Sequence, residues 1–447
     1  MSTSGIFSPM KRLIISKPNA SMVLMIAAIL AVITANSPLR EIYSSILSYP
    51  ISLKIDSFEV FTHHGVTMDL LTFANDVLMV LFFLQVGLEI KQEILVGELS
   101  TPQKAILPVV GAIGGMAVPV LLFLMICHQP PMSNGAAIPM ATDIAFVLAI
   151  LGMLGSKVPP ALKAFITSLA VADDIGGIIV IALFYSSHID LPMLLCGGGT
   201  LLLLYLVGRM GIRSLWVYYI GLFATWFLFL QSGIHTTIAG VLVAFMVPAR
   251  PRITTNQLGD YVSVLTKQLP ESEQRTSKRS ILLPHSQVSV VNSIRQATTA
   301  ALSPVQRMES QLSDLVSYFV LPLFAFVNAG VTFGGVNPSD LVSVPLAIVL
   351  GLFVGKPLGI TLFSYAYIRA TGNHWPTKMT PKLLFATSIL GGVGFTVSLF
   401  VASLSYKGAE MAVLLNDAKL GIFTGSILSG LLGYYLLKYL LNYKTTR

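Results

Sequence analysis

The sequence predicts an all-α membrane protein with twelve transmembrane helices, and three observations carry that reading. Charged residues make up only 11% of the 447 positions, less than half the roughly 25% of a soluble globular protein. Apolar runs close to the ~20 residues needed to cross ~30 Å of hydrocarbon recur along the whole chain. Most Lys and Arg fall in every second polar segment, and so on one side of a membrane. This composition excludes a soluble multi-domain enzyme and a disordered chain. Two cysteines, Cys127 and Cys196, are too few for a disulfide framework or a zinc cluster.

The apolar runs lie at 20–35, 70–90, 105–127, 136–154, 164–185, 191–207, 215–230, 234–247, 315–331, 341–368, 383–404 and 418–440. No outer-membrane type of strand alternation recurs, so the spans are helices. Lys11, Arg12 and Lys17 precede the first run in the manner of a signal peptide. With eleven further spans behind it, that run is expected to stay as an uncleaved helix.

With the N-terminus inside, Lys91, Lys104, Lys157, Lys163, Arg209, Arg213, Arg250, Arg369 and Lys438 all fall in cytoplasmic segments. The external side holds Arg40, Lys54 and Lys407. This asymmetry puts both termini in the cytoplasm. The formal net charge of +8 is thereby a topology signal, and nucleic acid is not needed to explain it. The chain divides into a cytoplasmic N-terminus at 1–19, spans one to eight at 20–250, a cytoplasmic insertion at 251–313, spans nine to twelve at 314–440, and a cytoplasmic tail at 441–447.

Two polar stretches interrupt this plan. At 50–62, Ile51, Leu53 and Ile55 alternate with Ser52, Lys54 and Asp56, and a second run follows through Phe58, Val60 and Thr62. A turn at Asp56–Ser57 would make these a small external β-hairpin, the alternative being an irregular loop. Because a lone hairpin is marginal in water, it calls for a partner such as a second subunit. The insertion, with Glu271, Glu273, Arg275, Lys278 and Arg279 clustered, is expected to be largely flexible.

The informative residues are the charges inside spans, each costing about 2.5–3.5 kcal/mol on insertion scales. Asp76, Asp143, Asp173, Asp174 and Lys356 lie well inside, whereas Glu89 and Glu93 sit near a cytoplasmic end. Any one could be a helix-packing hydrogen bond; five together favour an ion pathway. Asp173 and Asp174 are neighbours, so on a helix of 3.6 residues per turn they point about 100° apart. One can line a water-filled cavity while the other faces a neighbouring helix. Two carboxylates this close in a poor dielectric do not both stay ionised without a counter-charge, so the pair takes up protons or a cation in competition. Lys356, followed by Pro357, needs a partner too: either an intramembrane Asp or carbonyls freed by the proline.

Two spans read as broken. Pro139-Met140-Ala141-Thr142-Asp143 interrupts the fourth, and Gly391-Gly392-Val393-Gly394 the eleventh. Unwound stretches crossing at mid-membrane expose helix ends of both signs. Asp143 can balance the positive ends and Lys356 the negative ones. Residues 105–185 and 341–440 then form two three-helix units, each with its middle helix broken and entering from opposite faces.

Several runs together resemble the NhaA family of sodium/proton antiporters: Val86-Gly87-Leu88-Glu89, Ala141-Thr142-Asp143-Ile144-Ala145-Phe146, Asp173-Asp174, Ser232-Gly233-Ile234-His235, Leu321-Pro322-Leu323-Phe324, Asn328-Ala329-Gly330, Gly355-Lys356-Pro357 and Gly394-Phe395-Thr396. They recur in order from about residue 20 to 434. The resemblance implies inverted three-helix repeats with two discontinuous crossing helices, an architecture for which this family is itself a type case. It implies electrogenic exchange of cytoplasmic Na⁺ or Li⁺ for external H⁺ in a bacterial inner membrane, with no cofactor. Asp174 would be the main cation ligand and proton carrier, Asp173 its neighbour paired with Lys356, and Thr142 and Asp143 the extended-chain positions that assist. Glu89, Glu93, Glu309 and His235 match positions linked to pH response, and the external hairpin matches a homodimer contact.

Gln92 stands where a well-known form of the family has arginine, and Ser310 and Ser313 where it has histidines; the long insertion is also extra. These departures bear on pH response rather than on transport chemistry. Two rivals from other classes are weaker. An intramembrane aspartyl protease needs catalytic aspartates on different helices, and a passive cation channel usually builds its pore from symmetric subunits.

Overall fold

Helices run through nearly the whole of the computed structural model, which describes residues 19–55, 58–63, 66–185, 189–267, 285–333, 342–372 and 379–445. The basic residues Lys11, Arg12 and Lys17, the Asp56–Ser57 turn and the charge cluster at 271–279 lie outside them. Among the described residues, nine helices are long and apolar enough to cross a membrane, or eleven if each bent pair is one span.

Helix α1 (Ala20–Ala35) is capped by Asn19, whose side chain accepts from the Ser21 amide. Helix α2 (Arg40–Leu47) leaves it at 118°, so it does not prolong the span. Two short antiparallel ladders follow: Lys54–Ile55 (β1) pairs with Phe58–Glu59 (β2), and Thr62–His63 (β3) with Val66–Thr67 (β4). Next come α3 (Leu70–Val96), α4 (Pro102–Ile126), a 3₁₀ stretch (Met132–Met140), α5 (Ile144–Met153) and α6 (Pro160–Phe184). Then follow α7 (Leu191–Arg209), α8 (Leu215–Ser232) and α9 (Thr237–Met246). At ten residues, α9 is short for a span. Lys91 compensates at its end: the ammonium donates to the Phe245 carbonyl at 2.6 Å and the Val247 carbonyl at 2.5 Å, satisfying orphan C-terminal oxygens.

The described part of the insertion is helical. Helices α10 (Thr255–Lys267) and α11 (His285–Ala301) pack together, and the Arg252 amide donates to the Ala300 carbonyl. Helix α12 (Pro304–Asn328) starts well before its apolar run, because Ser303 and Gln306 form a reciprocal capping box ahead of it. Glu309 therefore sits on a helix. The chain closes with α13 (Val344–Thr371), α14 (Pro381–Gly391), α15 (Phe395–Ser405) and α16 (Ala412–Thr445).

Helices α4 and α13 make the most intimate contact of the bundle. A Cβ at Gly359 would stand 2.6 Å from the Gly114 carbonyl carbon, so only glycine lets the two backbones close, the usual device where no hydrophobic drive separates helix from lipid. Three π-turns interrupt spans: Ala74–Leu78, Val316–Val320 and Gly351–Gly355. The second and third precede Pro322 and Pro357, where the ladder loses an amide.

Candidate functional site

Two interrupted helices cross beside α6 and the start of α13. The first leaves its 3₁₀ stretch at Met140, runs extended through Ala141, and re-enters helix at Ile144 with Asp143 as N-cap. The second breaks between Gly391 and Phe395 with a bend of 48°. The breaks are stitched together by hydrogen bonds. The Asp143 amide donates to the Val393 carbonyl at 2.7 Å, Thr142 Oγ1 donates to the Gly391 carbonyl at 3.0 Å, and Ser398 Oγ to the Ile138 carbonyl at 2.9 Å. The freed Asp143 amide and the Gly391, Val393 and Ile138 carbonyls thus find partners within the protein.

Charge is balanced at the same place. Asp143 Oδ1 accepts from the Phe146 amide at 3.2 Å, at the head of α5. Its Oδ2 accepts from the Thr396 amide at 3.1 Å and Thr396 Oγ1 at 2.5 Å, at the head of α15. One buried carboxyl therefore serves two helix N-termini, whose partial positive charges favour it. Lys356 lies at the opposite polarity: its ammonium donates to the Met140 carbonyl, the end of the 3₁₀ stretch.

Lys356 Nζ also lies 2.6 Å from Asp173 Oδ2, and Thr142 Oγ1 reaches the same oxygen at 2.7 Å. Asp173 Oδ1 is buried with no hydrogen-bond partner among the described residues. Asp174, the next residue, is only partly buried. It lines a narrow cavity with Phe82, Val86, Met140, Asp173 and Val401. The two adjacent carboxylates thus share a cavity but differ in their partners, one locked by an ammonium and a hydroxyl, the other held by neither. No group of three or more His, Cys, Asp or Glu among the described residues could hold a metal ion as a structural centre.

The structure brings Thr142, Asp143, Asp173, Asp174 and Lys356 into one cluster and leaves the other four expected site residues outside it. Glu89 accepts from Gln85 Nε2 at 2.8 Å and lies in electrostatic range of Glu309. Glu93 accepts from Ser168 Oγ on α6 at 3.0 Å and from the Glu98 amide at 2.9 Å. His235 Nε2 lies 3.3 Å from Lys407 Nζ. Asp76 belongs to the first π-turn; its carbonyl accepts from Trp226 Nε1 and Thr236 Oγ1. Sequence reasoning assigned no role to the carbonyls of Met140 and Gly391 or to Ser426, since backbone acceptors and a lone serine leave no mark in a sequence. Thr396 was visible in its motif, but its partner was not.

Crossed helix breaks with balanced charges inside an apolar bundle define a secondary transporter, an architecture for which antiporters of the kind matched below are themselves type cases. The sequence profile of the family described as Na+/H+ antiporter 1 matches residues 11–437. A Na(+)/H(+) antiporter NhaA of Porphyromonas gingivalis strain W83 is 57% identical over 445 residues, covering 100% of this chain and 98% of its own. Its counterpart in Parabacteroides distasonis is 52% identical over 98% of this chain and 97% of its own. That of Helicobacter pylori strain G27 is 39% identical over 95% and 94%. The chain belongs to the NhaA family of Na⁺/H⁺ antiporters, multi-pass secondary transporters rather than enzymes. The solved sodium proton antiporter MjNhaP1 from Methanocaldococcus jannaschii shares the fold, with a TM-score of 0.51 at 13% identity over 98% of this chain and 94% of that one.

Proposed function

We propose that this antiporter exchanges cytoplasmic Na⁺ or Li⁺ for external H⁺ electrogenically, by alternating access at the Asp173–Asp174 pair. The observation that carries the reading is the division of labour between two neighbouring carboxylates: both line the cavity, but Asp173 is held by Lys356 and Thr142, whereas Asp174 has no such partner among the described residues. A cation entering the cavity binds at Asp174, the carboxylate that no ammonium holds, and replaces its proton. Its charge then competes with the Lys356 ammonium for Asp173, and the displaced ammonium gives up a second proton. When the site opens outward the cation leaves, one proton returns to Asp174 and one to Lys356, which re-forms its pair with Asp173. Two protons traded for one monovalent cation move net charge, so the cycle runs on the membrane potential as well as on the proton gradient.

The same reading extends to architecture. Twelve spans, with α9 among them and each bent or broken pair spanning once, give two three-helix units, α4 to α6 and α13 to α16, as inverted repeats meeting at the crossing. Both termini then lie in the cytoplasm of a bacterium whose inner membrane holds the protein. The β1–β4 ladders form an external contact between two copies. Glu89, Glu93, Glu309 and His235 tune the response to pH from either side of the crossing. Thr142 assists cation binding, and Asp143 with Lys356 balances the helix ends.

Sodium-dependent proton release from purified protein in sealed proteoliposomes tests the proposal. Adding Na⁺ should move protons against their gradient, and collapsing the membrane potential with valinomycin and K⁺ should change the rate. Mere dissipation of an imposed gradient would identify a channel and sink the assignment. A rate indifferent to potential would remove the electrogenic cycle.

A further inference from the structure

The unwound link between α14 and α15 is held from a third side. Gly394, the residue that opens α15, donates its amide to Ser426 Oγ at 3.3 Å. Ser426 lies on α16 and is 7% exposed; Ser429, one turn further along, is fully buried. The two serines differ in one respect. The Ser429 hydroxyl has no hydrogen-bond partner among the described residues, although a Cβ at Gly392 would stand 2.6 Å from it. Both side chains therefore abut the same break, but only Ser426 is bonded to it.

That bond lies close to the exchange site through the backbone. The Gly391 carbonyl, at the other end of the link, accepts from Thr142 Oγ1, the hydroxyl that also reaches Asp173. A threonine hydroxyl has a single proton to donate. How it divides between Gly391 and Asp173 depends on where the Gly391 carbonyl stands.

We propose that Ser426 is a positioning residue for cation exchange: by holding the Gly394 amide it keeps the Gly391 carbonyl against Thr142, which leaves Asp173 Oδ2 only partly engaged. This rests on the exchange reading above. Without the Ser426 oxygen, the Gly394 amide has no water to turn to at that depth, and the link shifts toward another acceptor. Thr142 then gives its proton wholly to Asp173, and an arriving cation must compete with a full hydrogen bond.

The test compares wild type with Ser426→Ala, Ser426→Thr, Ser426→Cys and Ser429→Ala in proteoliposomes. Initial rates of proton release are recorded over a range of Na⁺ concentrations, with melting temperatures taken in parallel. Ser426→Ala should raise the half-saturating Na⁺ concentration about three- to tenfold, the scale of one hydrogen bond, at an unchanged maximal rate. Ser426→Thr keeps the oxygen and should match wild type. Ser429→Ala removes the same atom from the same helix face without breaking a hydrogen bond, and should also match. Should Ser426→Ala fail to fold, Ser426→Cys carries the test, its weak sulfur acceptor giving a smaller rise in the same direction. A wild-type Na⁺ dependence in the Ala or Cys variant, or an equal rise in Ser429→Ala, overturns the assignment. Absence of Na⁺-driven proton release in the wild type would overturn the exchange reading along with it.

Discussion

Asp173 Oδ2 lies 2.6 Å from Lys356 Nζ, with side-chain exposures of 1% and 0%. An ion pair taken wholly out of water is not by itself a gain in stability, because the desolvation of two charges offsets their attraction. Its retention at the crossing of two broken helices makes sense as a contact built to be opened. The Met140 carbonyl and the Thr142 hydroxyl hold it in place meanwhile.

Removing one partner of that pair should be costly. Lys356→Ala leaves a buried carboxylate without its counter-charge, a loss of about 3–5 kcal/mol, read as a marked fall in melting temperature. Exchange in that variant should also lose its dependence on membrane potential. Unchanged electrogenicity would count against the pair's role in the cycle.

Asp174→Asn should separate stability from function. No side-chain hydrogen bond or ion pair holds Asp174 among the described residues, so the melting temperature should stay near that of wild type. Sodium-dependent proton release should vanish, because an amide neither carries the proton nor neutralises the cation. Normal exchange in this variant would remove Asp174 from the mechanism.

Thr142 offers a finer comparison. Thr142→Ser keeps the hydroxyl that bridges Asp173 and Gly391, and Thr142→Val removes it at nearly constant volume. The valine variant loses the hydroxyl oxygen that a cation can use once its proton has turned to Gly391; this loss outweighs the release of Asp173, and the half-saturating Na⁺ concentration should rise about tenfold, while serine stays within twofold of wild type. Equal values for the two variants would show that the hydroxyl plays no part.

Gly359→Ala should damage the fold through helix packing, without removing a charge. Its Cβ would overlap the Gly114 backbone, which has no side chain that could swing aside. Forcing α4 and α13 apart is expected to cost about 1–3 kcal/mol, visible as a lower melting temperature in detergent. Gly152→Ala, at a position with open space around it, serves as the control and should not lower it.

Much of the architecture was legible because a bilayer leaves a chain few choices. Apolar run length marked most of the helices. Asp143, Asp173, Asp174 and Lys356 stood out because charge inside an apolar run is costly. The α12 start was less visible: the Ser303–Gln306 capping box extends that helix beyond its apolar run. The insertion, too polar to read as structure, contains α10 and α11 packed on each other.

The sequence by itself determined that the chain is a helical membrane protein, where its intramembrane charges lie, and which helices are broken. Residues 173 and 174 are chemically identical, and a 100° turn of the helix alone does not say which one faces α13; the family resemblance named Asp173 as the partner of Lys356, and the tertiary structure supplied the contact. Only the tertiary structure decided that Asp143 caps two helices at once and that the Gly391 carbonyl shares a hydroxyl with Asp173. The longest of those pairings joins residues 253 positions apart, and main-chain carbonyls and amides are the same at every position. A linear pattern has no means of recording them.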